Sequence, residues 1–120
     1  MSSFINNVKF ANAGICYFFQ HERNGRIQAI VSCIVLVASR FFEISRIEWC
    51  LVIFCIALVI SLEMVNTALE RVCAMLSTEY HPIVKIIKDV AAGAVWWASI
   101  CCIITGAIIF FPYVISFLKL

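Results

Sequence analysis

Glu63-Met64-Val65-Asn66-Thr67-Ala68-Leu69-Glu70 decides how the rest of the chain is read. It sits in a long apolar run that begins at Trp49, extends to about Met75 and reads as a membrane-spanning helix. Glu63, Asn66, Thr67 and Glu70 are spaced i, i+3, i+4 and i+7, which puts all four on one helix face. Two carboxylates and an amide on one stripe are costly in lipid. They belong where a helix faces protein or a wet pocket, and there they mark a functional site. At about 1.5 Å per residue, Glu63 lies roughly 21 Å along the helix from Trp49. A hydrocarbon core of about 30 Å ends close to Glu70. One face of one helix then joins an oily layer to a watery one, which suits chemistry between a lipid and a soluble reagent.

The flanking sequence agrees with a membrane setting. Of 120 residues, 64% are hydrophobic and 13% charged, and the mean hydropathy is +1.04. Soluble domains carry about 25% charged residues. Length and hydrophobicity together exclude the soluble nucleotide-binding folds and predict one small membrane domain over residues 1–120. Met1 to Asn24 lacks a basic start, a short apolar core and a small-residue cleavage site, so no cleavable signal peptide is expected. Six basic residues (Lys9, Arg23, Arg26, Arg71, Lys85, Lys88) fall on one side of the expected spans and three (Arg40, Arg46, Lys119) on the other. That bias puts the N-terminus in the cytoplasm and the C-terminus outside after three spans. The seven cysteines show no C-x-x-C or Cys/His spacing. Most lie within apolar runs and read as small packing hydrophobes.

Outward from the stripe, the expected class is an all-α membrane protein with a surface helix over about 4–22 and spans over about 27–42, 49–75 and 83–117. Phe4, Val8, Ala11, Ile15 and Phe18 recur near helical spacing among polar residues, as in a helix lying along a membrane. His21-Glu22-Arg23-Asn24-Gly25-Arg26 reads as the bend into the first span, with Gly25 as the breaker. That span is short, so Arg40 snorkels to the far headgroups. Glu43 to Glu48 reads as a polar turn and Trp49 as an interfacial anchor. In the second connection, Ser77 or Thr78 is the expected cap of a following helix, and Pro82 suits its first turn. His81 is a candidate phosphate or adenine contact, against the commoner reading of a solvated loop histidine. Ala91-Ala92-Gly93-Ala94 permits close approach of a ligand or, more commonly, of another helix.

These residues can support transfer of a γ-phosphoryl group from Mg·ATP to a lipid hydroxyl. That reaction needs a positioned metal ion, neutralised phosphate charge and an acceptor for the hydroxyl proton. Glu70, near the headgroups, can hold Mg²⁺ through oxygen, and Glu22 is the best second carboxylate. Lys88 can neutralise phosphate, and Asp89 can bind metal or nucleotide. Glu63, set deeper, is the candidate general base, and Asn66 can orient it or the lipid hydroxyl. No G-x-x-x-x-G-K-[ST] loop and no kinase glycine-rich loop occurs.

Glu63-x-x-Asn66-Thr67-Ala68-x-Glu70, Glu79-Tyr80-His81 and Lys88-Asp89-x-Ala91-Ala92-Gly93-Ala94-Val95 together resemble the small prokaryotic diacylglycerol kinase and undecaprenol kinase family. The likeness runs from about Phe10 to Pro112 and takes in Glu22-Arg23-Asn24 and Ser45-Arg46-Ile47-Glu48-Trp49. It implies a homotrimer of three-span subunits in the bacterial inner membrane, with active sites between neighbouring subunits near the cytoplasmic face. It implies Glu63 as proton acceptor, Glu22 and Glu70 as holders of the Mg²⁺ of Mg·ATP, and Asn66 as support for the reacting groups. Phe10, Glu79, Tyr80, His81, Lys88 and Asp89 fall at nucleotide contacts, and Ala92 where the lipid passes the third span. The expected acceptor is undecaprenol, giving undecaprenyl phosphate, or diacylglycerol, giving phosphatidic acid. The bend at Glu22 and the Ser45–Trp49 turn look more like the undecaprenol kinases. Two positions depart from the family pattern. Ala74 stands where relatives usually carry Asp, and Phe10 lacks the hydroxyl of the aromatic found there.

Two other readings compete. Buried carboxylates also carry protons or cations in small transporters, which accounts for Glu63 but not for Lys88-Asp89 or for Glu70 at headgroup depth. A non-enzymatic membrane subunit could use Glu63 and Asn66 as interhelical glue.

Overall fold

The boundaries of the helices follow from a few polar side chains that satisfy chain ends. A computed structural model describes residues 2–76 and 81–119. It consists of four helices in sequence: α1 (Ser2–His21), α2 (Arg23–Phe41), α3 (Arg46–Leu76) and α4 (Pro82–Lys119). Their limits lie within a few residues of those read from the sequence.

The bend between α1 and α2 is one residue wide. Glu22 adopts an extended conformation (φ −107°, ψ 116°) and separates the two helices. Arg26 reaches back and donates to the last carbonyls of α1, at 2.8 Å to Gln20 O and 3.3 Å to Phe19 O. Gly25 is not the breaker expected of it. It lies inside α2, and no glycine has positive φ. Its value is space: a Cβ there would stand 2.5 Å from Cε2 of Phe18, which is 3% exposed. The missing side chain lets α2 fold back against the aromatic ring of α1.

The α2–α3 turn closes on two interlocking caps. Glu43 takes a left-handed conformation (φ 52°), unusual outside glycine. Its N–H bonds Arg40 O, and the Ile44 N–H bonds Ser39 O, both at 3.3 Å. This pair satisfies the last carbonyls of α2 as a Schellman motif. Ser45 and Glu48 then form a capping box. The Ser45 N–H donates to Glu48 Oε1 at 2.9 Å, and the Glu48 N–H donates to Ser45 Oγ at 3.2 Å. Ile44 and Trp49, flanking the box, pack in one cluster with Val52, Phe42, Ile109 and Tyr113. So Glu48 belongs to the first turn of α3, and Trp49 is a half-buried staple as well as an end marker. At α4, His81 itself is the cap, accepting from the Ile83 N–H at its Nδ1 (3.2 Å) ahead of Pro82. Ser77 and Thr78 lie outside the described residues.

Packing centres on α3, which lies along α4 on one side and against α2 on the other, while α1 touches α2. The three principal extents are 58, 42 and 21 Å, a slab two helices thick. Ile30, Ile34 and Val37 on α2, Phe54 on α3, and Trp96, Trp97, Ile103 and Ile108 on α4 are exposed. A soluble domain does not show so much large apolar surface. Helices α3 and α4 are each long and apolar enough to cross a membrane. This is an all-helical membrane protein. Helix α2 has 19 residues and falls short of the same hydropathy standard, because Arg23, Asn24, Arg26, Gln28 and Arg40 lie within it.

Candidate active site

The polar stripe of α3 is folded inward. Glu63 is 5%, Asn66 7% and Thr67 8% exposed, buried polar side chains on a protein whose apolar ones largely face out. One turn on, Glu70 is exposed. The Asn66 amide links the two levels: Nδ2 donates to Glu70 Oε1 at 3.0 Å. A carboxylate can only accept, so it fixes which end of the amide faces it. Oδ1 must then point elsewhere, and it is buried with no donor among the described residues. Asn66 is also the one polar residue lining a cavity of about 350 Å³ between α3 and α4, otherwise walled by Leu62, Val65, Ile86, Ile87 and Ala91 among others.

The start of α2 completes the site. The Asn24 side chain approaches the Glu63 carboxylate, and Glu22 and Glu70 lie close enough to act on its charge. Glu22, half-buried, accepts from Arg71 Nη2 at 2.7 Å. The Arg71 guanidinium also stands over the Tyr17 ring, 5.8 Å from its centroid, and Tyr17 stacks on His21 at 4.1 Å. The one-residue bend at Glu22 is what brings α1, α2 and the lower half of α3 to the same place.

Of the residues marked in the sequence, Glu22, Glu63, Asn66 and Glu70 therefore assemble within one chain. Others stand apart. Asp89 is held by Lys85 at 2.5 Å across one turn of α4, both well exposed. Lys88 is exposed, and no hydrogen bond or ion pair joins it to Glu22 or Glu70 among the described residues. Phe10 is 72% exposed on α1, and Ala92 is exposed on α4. His81 caps α4 with one ring nitrogen. Glu79 and Tyr80 fall outside the described residues. In the sequence, Asn24 enters only as part of the Glu22 bend and Arg71 only in the charge bias, neither as a site residue, and Tyr17 does not enter. Asn24 could have been noticed beside Glu22, and Arg71 as the cation next to Glu70. Tyr17 carried no signal beyond a helical repeat.

The donor set fits Mg²⁺. Glu22 and Glu70 each commit Oε1 to a neighbour and keep a second carboxylate oxygen. Among the described residues, no three His, Cys, Asp or Glu side chains form a ready-made metal cage. A magnesium ion that arrives with phosphate oxygens and water needs only one or two carboxylates from protein.

Comparison with known proteins gives one family. The model for prokaryotic diacylglycerol kinase matches residues 9–110. An undecaprenol kinase of Bacillus subtilis is 38% identical over 113 residues, covering 93% of this chain and 91% of its own length. A diacylglycerol kinase of Synechocystis is 35% identical over 92% of this chain and 63% of its own length. That of Haemophilus influenzae is 31% identical over 92% and 95%. The transport reading gains no support from these relatives. With the matched region running from residue 9 within α1 to residue 110 within α4, the chain belongs to the prokaryotic diacylglycerol kinase family.

Proposed function

We propose that this ATP-dependent membrane lipid kinase phosphorylates the hydroxyl of undecaprenol in preference to diacylglycerol. The site faces the cytoplasm, between subunits of a homotrimer, and each subunit crosses the bacterial inner membrane with α2, α3 and α4. The observation that carries the chemistry is the burial of Glu63 and Asn66 on one face of α3, with Asn66 bonded to an exposed Glu70 one turn on. The undecaprenol preference rests on the Bacillus relative and on the bend and turn sequences around Glu22 and Ser45.

Glu63 takes the proton of the lipid hydroxyl as its oxygen attacks the γ-phosphorus and the bond to the ADP oxygen breaks. Burial keeps this carboxylate away from bulk water, and Asn24 orients it. Asn66 supports the reacting groups: its Oδ1, with no donor among the described residues, is free to accept from the Glu63 carboxyl once that group carries the lipid's proton. The cavity beside Asn66 and the small residues near Ala92 give the lipid passage along α4. Glu22 and Glu70 hold the ion that accompanies ATP. When bound, Mg²⁺ neutralises triphosphate charge and fixes its orientation. Lys88, Asp89, His81, Glu79, Tyr80 and Phe10 contact nucleotide, with Lys88 and Asp89 supplied by a neighbouring subunit.

The test is purified protein in mixed micelles with labelled ATP and Mg²⁺, offered undecaprenol and diacylglycerol separately. Undecaprenol should be labelled faster. Label on neither lipid would overturn the proposal, and faster labelling of diacylglycerol would reverse the preference.

A further inference from the structure

No part of the reaction above falls to Arg71, yet its guanidinium is anchored among the groups that would receive Mg·ATP. Nη2 donates to Glu22 Oε1 at 2.7 Å, the planar head stands 5.8 Å over Tyr17, and Glu70 is its neighbour in the chain and acts on its charge. Glu22 occupies the N-cap position of α2 but makes no capping bond with its side chain. Its carboxylate turns across to α3 instead and accepts from this arginine.

A mere tether is a poor account of that arrangement. The Arg71 side chain is 57% exposed, and an ion pair so open to solvent adds little stability. A guanidinium has five donors in a rigid plane, and the contact with Glu22 uses one of them. The Tyr17 ring supports one face of that plane, which limits how the remaining donors can turn. A pre-oriented fork beside two metal-holding carboxylates matches the geometry of phosphate oxygens better than an ammonium would.

We propose that Arg71 contacts the nucleotide directly: held by Glu22 and Tyr17, its guanidinium receives the β- and γ-phosphate oxygens of the triphosphate. This rests on the nucleotide site assigned above. It adds a phosphate ligand supplied by the same chain as the metal carboxylates.

The experiment is calorimetric titration of the full-length protein in micelles, with Mg²⁺, using the non-hydrolysable triphosphate AMP-PNP and, separately, AMP. Arg71→Gln should weaken AMP-PNP binding about tenfold or more, the loss expected for charge-assisted bonds. AMP affinity, the KM for lipid and the thermal midpoint should stay near wild type. Unchanged AMP-PNP binding, or an equal loss for AMP-PNP and AMP, would overturn the proposal. Should Arg71→Gln fail to fold, Arg71→Lys decides. An ammonium satisfies a tether, so wild-type AMP-PNP affinity in that variant also overturns it, and a several-fold loss supports it. Wild-type protein that binds AMP-PNP but phosphorylates neither lipid would sink the substrate assignment and leave the Arg71 result readable.

Discussion

Asn66 presents its two ends to different surroundings, and the proposed chemistry depends on that division. Its Nδ2 is committed to Glu70 at the exposed end of the stripe. Its Oδ1 is buried, with no donor among the described residues. A buried acceptor without a donor costs about 1–3 kcal/mol, and such a group is retained where a ligand satisfies it. The same separation makes Glu63 the cleanest test of mechanism. Glu63→Gln keeps shape and hydrogen-bonding reach but removes the proton acceptor. Turnover should fall by about 10² to 10⁴, the usual weight of general base catalysis. AMP-PNP affinity and assembly, followed by calorimetry and size-exclusion chromatography, should be unchanged. Loss of assembly would instead favour the glue reading of Glu63 and Asn66. The stripe was legible because four polar residues at helical spacing contrast with an apolar helix. Arg71 was not, since one basic residue at a helix end has many ordinary explanations until Glu22 is seen bonded to it.

At the scale of elements, the two bends do the positioning. The Ser45-x-x-Glu48 box could be anticipated from its spacing, and it forms. The bend at Glu22 could also be anticipated, but its physics could not. A glycine in a polar cluster reads as a breaker, yet Gly25 is helical and serves to admit Phe18. Only the folded geometry distinguishes a glycine needed for its backbone freedom from one needed for its lack of a side chain. Glu43 shows the converse, a left-handed residue at a helix end where glycine would have been the signal. Gly25→Ala should therefore destabilise the α1–α2 junction. Placing a Cβ 2.5 Å from the Phe18 ring forces side chain or backbone to shift, at a cost of about 1–3 kcal/mol. Thermal unfolding in detergent measures this. Adding Phe18→Leu should recover part of the loss, since the two sites share one contact. Because the same junction carries Glu22 and Asn24, Gly25→Ala should also lower turnover, and an unchanged kcat would show that the bend does not position the site.

At the scale of the whole molecule, hydropathy made the membrane setting and the two long helices plain. It could not show which exposed faces would meet lipid and which, in the proposed trimer, would meet another copy, because both would be apolar. The polar residues are more informative. Glu22, Glu63, Asn66 and Glu70 gather in one chain, whereas Lys88 and Asp89 sit on an exposed face of α4, with Asp89 occupied by Lys85. If α4 of one subunit serves α3 of the next, a trimer has three shared sites, each needing a sound Glu63 from one chain and a sound Lys88 from another. Glu63→Gln and Lys88→Ala should each be nearly inactive alone. Unfolded together and reassembled in equal amounts, they should recover about a quarter of wild-type activity, because each mixed trimer regains one intact site. The recovered kcat should follow the mixing ratio and vanish when either variant is in large excess. A site confined to one chain would yield no recovery at any ratio, and the lysine would then have to reach Glu70 by a movement of α4 along α3 within a single subunit.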